Sequence, residues 1–310
     1  MRAALLYAPG DLRVEDVPQP EPGPGDVLVQ VEVALTDGTD LKTFRRGHPL
    51  LARESPAPFG HEFCGIVDGS RVVAANSAPC GACDGCARGE QCRDLVFLGG
   101  AYAEWIVVPE RIAAVNLHPV PRGLAPEVAA MVESLACCLR GVERAGIVAG
   151  DHVAILGAGP IGLMLAACVA DAGGWPVIVG GREERRSLIG DFGAEPANGE
   201  LADVVIEAAG TEQAWFDAEE LVRPGGTVVM FGGLPRDARP PIDAYRLHYE
   251  ELTIRGSFHH TPATVRAALV FLASDAYPWE RLVTHRVGLE GLPELFADPP
   301  RDLLKAAVAP

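Results

Sequence analysis

Positive charge is scarce in this chain: 26 lysines and arginines face 42 aspartates and glutamates, a formal net charge of −16 over 310 residues. Nucleic acids and anionic membrane surfaces are gripped by clustered Lys and Arg that neutralise phosphate, so neither is expected as a partner. A phosphate-bearing small ligand has to find a local positive patch instead. No secretory leader is expected either. Residues 1–7 hold one arginine and a short apolar run that soon meets Pro9 and Gly10, with no h-region or cleavage site, which predicts a cytoplasmic protein. No internal repeat or low-complexity tract is present. With 48% hydrophobic and 22% charged residues, the composition is that of an ordinary globular enzyme and excludes disordered and fibrous readings. One stretch, 153–170, carries no charge and is long enough to suggest a membrane span. Gly157, Gly159, Pro160 and Gly162 interrupt it, and it reads as a strand, a turn and a helix.

The length exceeds what one hydrophobic core usually organises, which predicts two domains. The first 120 residues are rich in Pro and Gly, with β-branched alternation at 27–33 and 105–108, the pattern of short strands in a compact barrel-like domain poor in helix. From Pro126 the spacing turns helical, with Val128, Met131, Val132, Leu135 and Leu139 on one face and an end near Gly146. From Asp151 onward, apolar strands at 153–156, 177–179, 204–207, 227–231 and 252–257 alternate with helical segments such as 161–172, which predicts βαβ units on a parallel sheet. Thr261 and Pro262 form an N-cap and first helical position for a helix through Ala273. The tail, punctuated by Pro278, Pro293, Pro299 and Pro300, is expected to be loop and short strand. The domain boundaries implied are 1–135 with 258–310, and 136–257.

Gly157, Gly159 and Gly162 make G-x-G-x-x-G directly after an apolar strand, with Pro160 and Ile161 opening the helix. The first glycine permits the tight turn, the second admits a pyrophosphate to the backbone, and the third lets helix and strand pack closely, so the segment is a candidate dinucleotide site. NAD-preferring sites carry an acidic residue about 20 positions further on, where it binds the ribose hydroxyls. Here that place is Gly181, followed by Arg182, Arg185 and Arg186. Without a carboxylate, and with guanidinium groups able to contact a 2′-phosphate, NADP is expected over NAD. The competing reading is a solvated helix face in which Glu183 and Glu184 balance the arginines.

Four of the eight cysteines, Cys80, Cys83, Cys86 and Cys92, read C-x2-C-x2-C-x5-C, enough thiolates at short spacing to enclose one tetrahedral Zn2+. Four thiolates leave no open position for substrate, so the site is structural; an iron-sulfur centre and spare reduced thiols are the alternatives. Cys64, Cys137, Cys138 and Cys168 sit in apolar contexts and read as core residues.

Together these features resemble the zinc-dependent medium-chain dehydrogenase/reductase superfamily, alcohol dehydrogenase-like, in its polyol, sugar and threonine dehydrogenase branch. The likeness runs through Gly38-Thr39-Asp40, Gly60-His61-Glu62, the cysteine lobe, Glu133 within Val-Glu-Ser-Leu-Ala, Gly150-Asp151, Gly157 to Gly162, Glu207-Ala-Ala-Gly210 and Val283-Thr-His285. It implies an α/β fold: a Rossmann doubly wound parallel sheet plus a GroES-like β-rich catalytic domain with a structural zinc lobe. It adds Ala209, Gly210, Gly232 and Ser257 to the residues expected to face the cofactor. It also implies a catalytic zinc held at Asp37, His61, and Glu62 or Glu133, with Asp37 standing where most members have cysteine. Taken alone, His61 reads as a satisfied structural histidine and Glu133 as an exposed helix charge. A carboxylate oxygen binds Zn2+ at a distance similar to imidazole, so Asp37 keeps such a site feasible.

The expected mechanism has zinc as a Lewis acid on a substrate hydroxyl, hydride passing to the nicotinamide, and Thr39 as the proton-relay hydroxyl. The catalytic set is thus Thr39, Asp37, His61 and Glu62. Lys42 lies where some members carry a relay histidine, though a surface role is the plainer reading. His259 and His260 fall where the family chain runs beside the nicotinamide, and His285 reads as structural. The function implied is oxidation of a secondary alcohol on a sugar or polyol with NADP. The alternatives are a zinc-free reductase of enones or quinones, and a non-catalytic NADP(H)-binding sensor suggested by short connections at 67–71, 86–92 and 194–202. The strand at 252–257 resembles the family's dimerisation edge, so a homodimer or homotetramer is expected.

Overall fold

The structure, a computed structural model, describes residues 1–48 and 55–310. The chain divides into two compact units, Met1–Ser134 with Thr261–Pro310, and Leu135–His260.

In the first unit, alternating apolar residues close two main sheets over one core, antiparallel except where Val283–Gly288 runs parallel to Lys305–Ala309. The larger runs Leu117–Pro119, Ser70–Ala74, Glu62–Val67, Val27–Leu35, Lys305–Ala309 and Val283–Gly288, with Trp105–Val108 also pairing on Val27–Leu35. The smaller joins Asp11–Asp16, Arg2–Ala8 and Ala57–Pro58. Val29, Val31, Phe63, Ile106 and Val308 point into the core. Phe44, Phe59, Tyr102 and Phe296 fill its centre, with ring centroids 5.4–6.2 Å apart, within the range of favourable aromatic contact.

Helix in this unit is confined to short segments, among them Gly38–Arg46 and Glu110–Asn116. The tail departs from its expectation. Pro293 does not break structure there but sits in the first turn of a helix, Leu292–Ala297, where its missing N–H costs nothing. Leu292, Leu295 and Phe296 bury one face of that helix.

The second unit carries six strands in the spatial order Glu195–Pro196, Trp175–Val179, His152–Leu156, Ala202–Glu207, Val222–Met230, Thr253–Gly256. Every neighbouring pair is parallel. Numbered along the chain this is 3-2-1-4-5-6, the doubly wound Rossmann order, whose switch point lies between the His152–Leu156 and Ala202–Glu207 strands. The helix Pro160–Asp171 is buried from Gly162 to Val169, which explains why that stretch carries no charge. Among the described residues no helix is long and apolar enough to cross a membrane.

Candidate active site and metal centres

The four clustered cysteines converge. The Sγ atoms of Cys80 and Cys86, Cys83 and Cys86, Cys83 and Cys92, and Cys92 and Cys80 lie 3.9, 3.6, 3.9 and 3.6 Å apart. A zinc–sulfur bond of about 2.3 Å gives a tetrahedron with edges of about 3.8 Å, so the thiols already have the spacing the ion demands. Backbone amides support the charge: Cys80 N–H donates to Cys92 Sγ, and Cys83 N–H to Cys80 Sγ. The amides of Arg93 and Cys86 hold the Cys83 thiol down at about 6. By contrast, Cys64 lies buried in its sheet, and burial pushes its thiol up to about 12, as expected of a core residue.

A second group of donors assembles from distant parts of the same unit. Asp37 is the N-cap of the Gly38–Arg46 helix, its Oδ1 accepting from Asp40 N–H at 2.8 Å, while Asp40 Oδ2 accepts from Asp37 N–H at 3.3 Å. This reciprocal capping box fixes both carboxylates on the first turn. His61, buried just before the Glu62–Val67 strand, donates from Nδ1 to Asp40 Oδ1 at 2.9 Å. Its Nε2 faces Asp37 Oδ2 at 3.7 Å and Glu133 Oε2 at 4.0 Å. Tetrahedral zinc with nitrogen and oxygen ligands sets such donors about 3.4 Å apart, so each carboxylate oxygen stands slightly farther from Nε2 than the ion demands. Asp40 also approaches His61, but its oxygens are taken by the Nδ1–H, the Asp37 amide and the Tyr102 hydroxyl. Its geometry is that of a carboxylate behind a ligating histidine, which fixes the tautomer and aims Nε2 outward.

The electrostatics agree. Burial lowers the pKa of His61, yet Asp40, Asp37 and Glu133 more than reverse this and hold it well above its ordinary value. Burial likewise pushes Asp37 up, but His61, Lys305 and the amides of Asp40 and Thr39 leave it below the usual carboxylate range. A pocket that favours extra positive charge this strongly suits a divalent cation.

Glu62 is directed elsewhere. Its Oε2 accepts from Lys305 Nζ at 2.6 Å and its Oε1 from the Ser134 hydroxyl, all three residues being buried. Lys305 also donates to Thr36 O at 3.4 Å. Burial pushes the Glu62 carboxyl up to about 7 against the pull of Lys305. Burial lowers Lys305, but Glu62 and Asp37 keep its ammonium above the ordinary value, and with Glu62 Oε2, Thr36 O and Ser134 Oγ all in reach the ion pair is the form the geometry supports. Of the two glutamates considered from sequence, the structure brings Glu133 to the His61 Nε2 and sets Glu62 on Lys305 and Ser134. Thr39 lies half-buried on the first helical turn, with its carbonyl accepting from Thr43 Oγ1. Lys42 is half-buried one turn on.

In the second unit the glycine fingerprint forms the turn after the first strand. Gly157 N–H donates to Val179 O at 3.0 Å, and a Cβ on Gly162 would fall 1.8 Å from Gly157 O, so only glycine allows this helix to start so close to the strand. Gly159 caps the helix, with Pro160 and Ile161 in its first turn. The helix N-terminus therefore faces outward at the switch point, the arrangement that receives a pyrophosphate. Across the switch point Ala209 packs about Gly157. Buried Glu207 pins the neighbouring turns, accepting from Gly210 N–H at 2.6 Å and Gly232 N–H at 3.1 Å. Ser257 N–H donates to Met230 O. Gly181, Arg182 and Arg186 are exposed at the end of the second strand, and Arg185 is half-buried. His259 stacks between Phe258 and His260 with φ 65°, and His260 is held 4.1 Å from it. His285 meets Thr284 and Asp302, contacts of a structural kind.

Residues 23–122 match the alcohol dehydrogenase GroES-like domain family and residues 160–274 the zinc-binding dehydrogenase family. The chain is 31% identical to D-altritol 5-dehydrogenase of Agrobacterium fabrum, over 97% of each chain. The chain belongs to the zinc-binding alcohol dehydrogenase family. A second relative, L-galactonate-5-dehydrogenase of Escherichia coli K12, is 27% identical over 96% of this chain and 94% of its own. A solved zinc-binding dehydrogenase from Sinorhizobium meliloti 1021, bound to NADP, superposes with a TM-score of 0.89 at 31% identity, covering 100% of this chain and 99% of its own.

The candidate site also contains residues to which the sequence reading gave no role. Asp40 was legible in principle, since Asp37-x-x-Asp40 before a helix is a capping-box pattern. Lys305 also left a signal, a lone cation in an otherwise apolar terminal strand. Tyr102 and Ser134 left none.

Proposed function

We propose that the chain oxidises a secondary alcohol of a sugar or polyol, passing hydride to NADP in preference to NAD, with zinc held by Asp37, His61 and Glu133. The observation that carries this reading is the buried His61 Nε2, presented by Asp40 toward two carboxylates. When bound there, zinc supplies Lewis-acid polarisation of the substrate hydroxyl. The chain's own residues do the rest. Asp40 keeps the His61 proton on Nδ1, Lys305 and Ser134 hold Glu62, and half-buried Thr39 on the first helical turn is the proposed hydroxyl through which the substrate proton leaves. Gly157 to Gly162, Ala209, Gly210, Gly232 and Ser257 are the proposed cofactor residues, with Arg182, Arg185 and Arg186 for the 2′-phosphate. The substrate class is supported by the names of the altritol and galactonate relatives. A cytoplasmic homodimer or homotetramer completes the reading, with the Thr253–Gly256 strand at the sheet edge as the proposed contact.

Metal analysis of purified protein, together with turnover on a polyol and aldose panel with each dinucleotide, tests the proposal. It expects two zinc ions per chain, one of them lost in Asp37→Ala, and a Thr39→Val variant that loses turnover while keeping its metal. One zinc per chain, untouched by Asp37→Ala, overturns it in favour of a zinc-free reductase.

A further inference from the structure

Tyr102 approaches the histidine centre in two ways. Its ring is fully buried, with centroids 5.6 Å from Phe59 and 6.2 Å from Phe296. A Cβ placed on Gly60, the residue before His61, would fall 2.7 Å from that ring, so the ring lies directly on the Gly60 backbone. The two segments are also clamped main chain to main chain. Gly100 N–H and Ala101 N–H donate to Gly60 O at 2.9 and 3.1 Å, and Tyr102 N–H donates to Phe59 O at 3.0 Å. The phenol oxygen therefore has a fixed place relative to His61. From there its hydroxyl donates to Asp40 Oδ2, with Leu35 O at 3.1 Å as a second acceptor. A hydroxyl carries one proton, and the charged acceptor makes the stronger bond. Burial, and then Asp40, push the phenol well above its ordinary value, so it stays protonated and a donor.

The plane of the Asp40 carboxylate needs such a partner. The terminal torsion of an aspartate is broad, so its rotamer alone does not decide where the two oxygens point. Oδ1 has to meet His61 Nδ1 for the ring to turn Nε2 toward Asp37 and Glu133. Among the described residues, the other group on Oδ2 is Asp37 N–H at 3.3 Å, a long contact. We propose that Tyr102 is a positioning residue for the His61 centre: through Oδ2 it sets the plane of Asp40, and through Asp40 the direction of His61 Nε2. The inference rests on the zinc reading above and carries its support one residue deeper, to a side chain that holds no ion itself. Its effect falls on metal affinity rather than on packing, because a phenylalanine ring would fill the same space.

Zinc affinities of the two centres, read by chelator competition on the intact chain, test this without reference to turnover. Tyr102→Phe keeps the ring and removes the hydroxyl. It should weaken one of the two ions by at least about threefold, less than the about 10–100-fold of altering the supporting carboxylate itself, and leave the thiolate-bound ion unchanged. Tyr102→Phe/Asp40→Asn should bind the weakened ion no less tightly than Asp40→Asn alone, since the hydroxyl acts only through the carboxylate. A smaller loss in Tyr102→Phe, equal weakening of both ions, or a double variant in which the two losses add overturns the role of Tyr102, the last by pointing to a loosened core. A wild type that binds only the thiolate-held ion overturns the zinc reading, and this inference with it. If Tyr102→Phe does not fold, wild-type protein labelled with 3-fluorotyrosine decides. Tyr102 is the one fully buried tyrosine of five, so its fluorine resonance is distinct. That resonance should shift when the weaker ion is removed, and a resonance that stays in place overturns the inference.

Discussion

The two candidate metal centres of the first unit differ in how the chain builds them. The thiolate knot takes all its donors from residues 80–92, most of them partly exposed, so chain connectivity alone keeps the sulfurs close. The histidine centre takes Asp37 from a helix cap, His61 from the start of a strand and Glu133 from the first turn of a helix, all nearly buried. Four buried carboxylates, Asp37, Asp40, Glu62 and Glu133, share that neighbourhood with Lys305 and His61. A local site can be indifferent to the core; a dispersed one is held only as firmly as the core that converges its donors and the cations that balance them.

Breaking the knot gives the largest expected effect. In Cys92→Ser the tetrahedron loses a thiolate, and metal binding is most of what orders such a loop, with zinc worth about 10–16 kcal/mol in small zinc-dependent domains. The residue 80–95 segment should become sensitive to proteolysis, zinc should fall by about one ion per chain, and the His61 centre should keep its ion, since none of its supports comes from this loop. Loss of both metals together would erase the contrast between the two sites.

The buried ion pair ranks next. Lys305→Met strips buried Glu62 of its cation, so the carboxyl, already pushed up to about 7, must take up a proton or keep an unpaired charge in the core, a change that costs up to about 3–5 kcal/mol. Urea denaturation should show that loss, and Lys305→Met/Glu62→Gln should recover most of it. A loss below about 1 kcal/mol would mean that Lys305 matters little to the dispersed site.

The same contrast explains what could be read before the fold was known. The cysteine spacing and the G-x-G-x-x-G turn are local patterns whose chemistry is written in a dozen residues, and the alternating strands of 151–257 dictate the parallel sheet. The pairing of Glu62 with Lys305 spans 243 residues, and its one local trace, a lone lysine in an apolar strand, does not name its partner, so sequence reasoning could not choose between Glu62 and Glu133. Asp40 was hidden for another reason. It sits in a motif beside Asp37, and only the fold shows that its carboxylate turns to His61 Nδ1 rather than outward. The tail was misread because prolines punctuate it, although Pro293 stands where a helix accepts proline.

Asp40→Asn probes the layer behind the histidine. The amide preserves shape but not the charged acceptor for Nδ1–H, and supporting groups of this kind are worth about 10–100-fold in metal affinity. Competition with a chelator should show one of the two zinc ions weakened by that factor and the thiolate-bound ion unchanged. Equal weakening of both would argue that Asp40 acts through folding alone.

The smallest effect isolates the two roles of Asp37. Oδ1 caps a helix and Oδ2 faces His61, so a simple truncation removes both at once. Asparagine is about as good an N-cap as aspartate, whereas cysteine is a poor one, and loss of a cap costs about 1 kcal/mol. Cysteine in turn is a strong zinc ligand. Asp37→Cys should therefore keep the metal and lose about 1 kcal/mol of stability in the metal-free protein, while Asp37→Asn should keep the stability and release the metal. If Asp37→Cys alone loses stability and both variants keep the metal, Asp37 is a cap and nothing more, and the dispersed centre has one donor fewer than its geometry suggests.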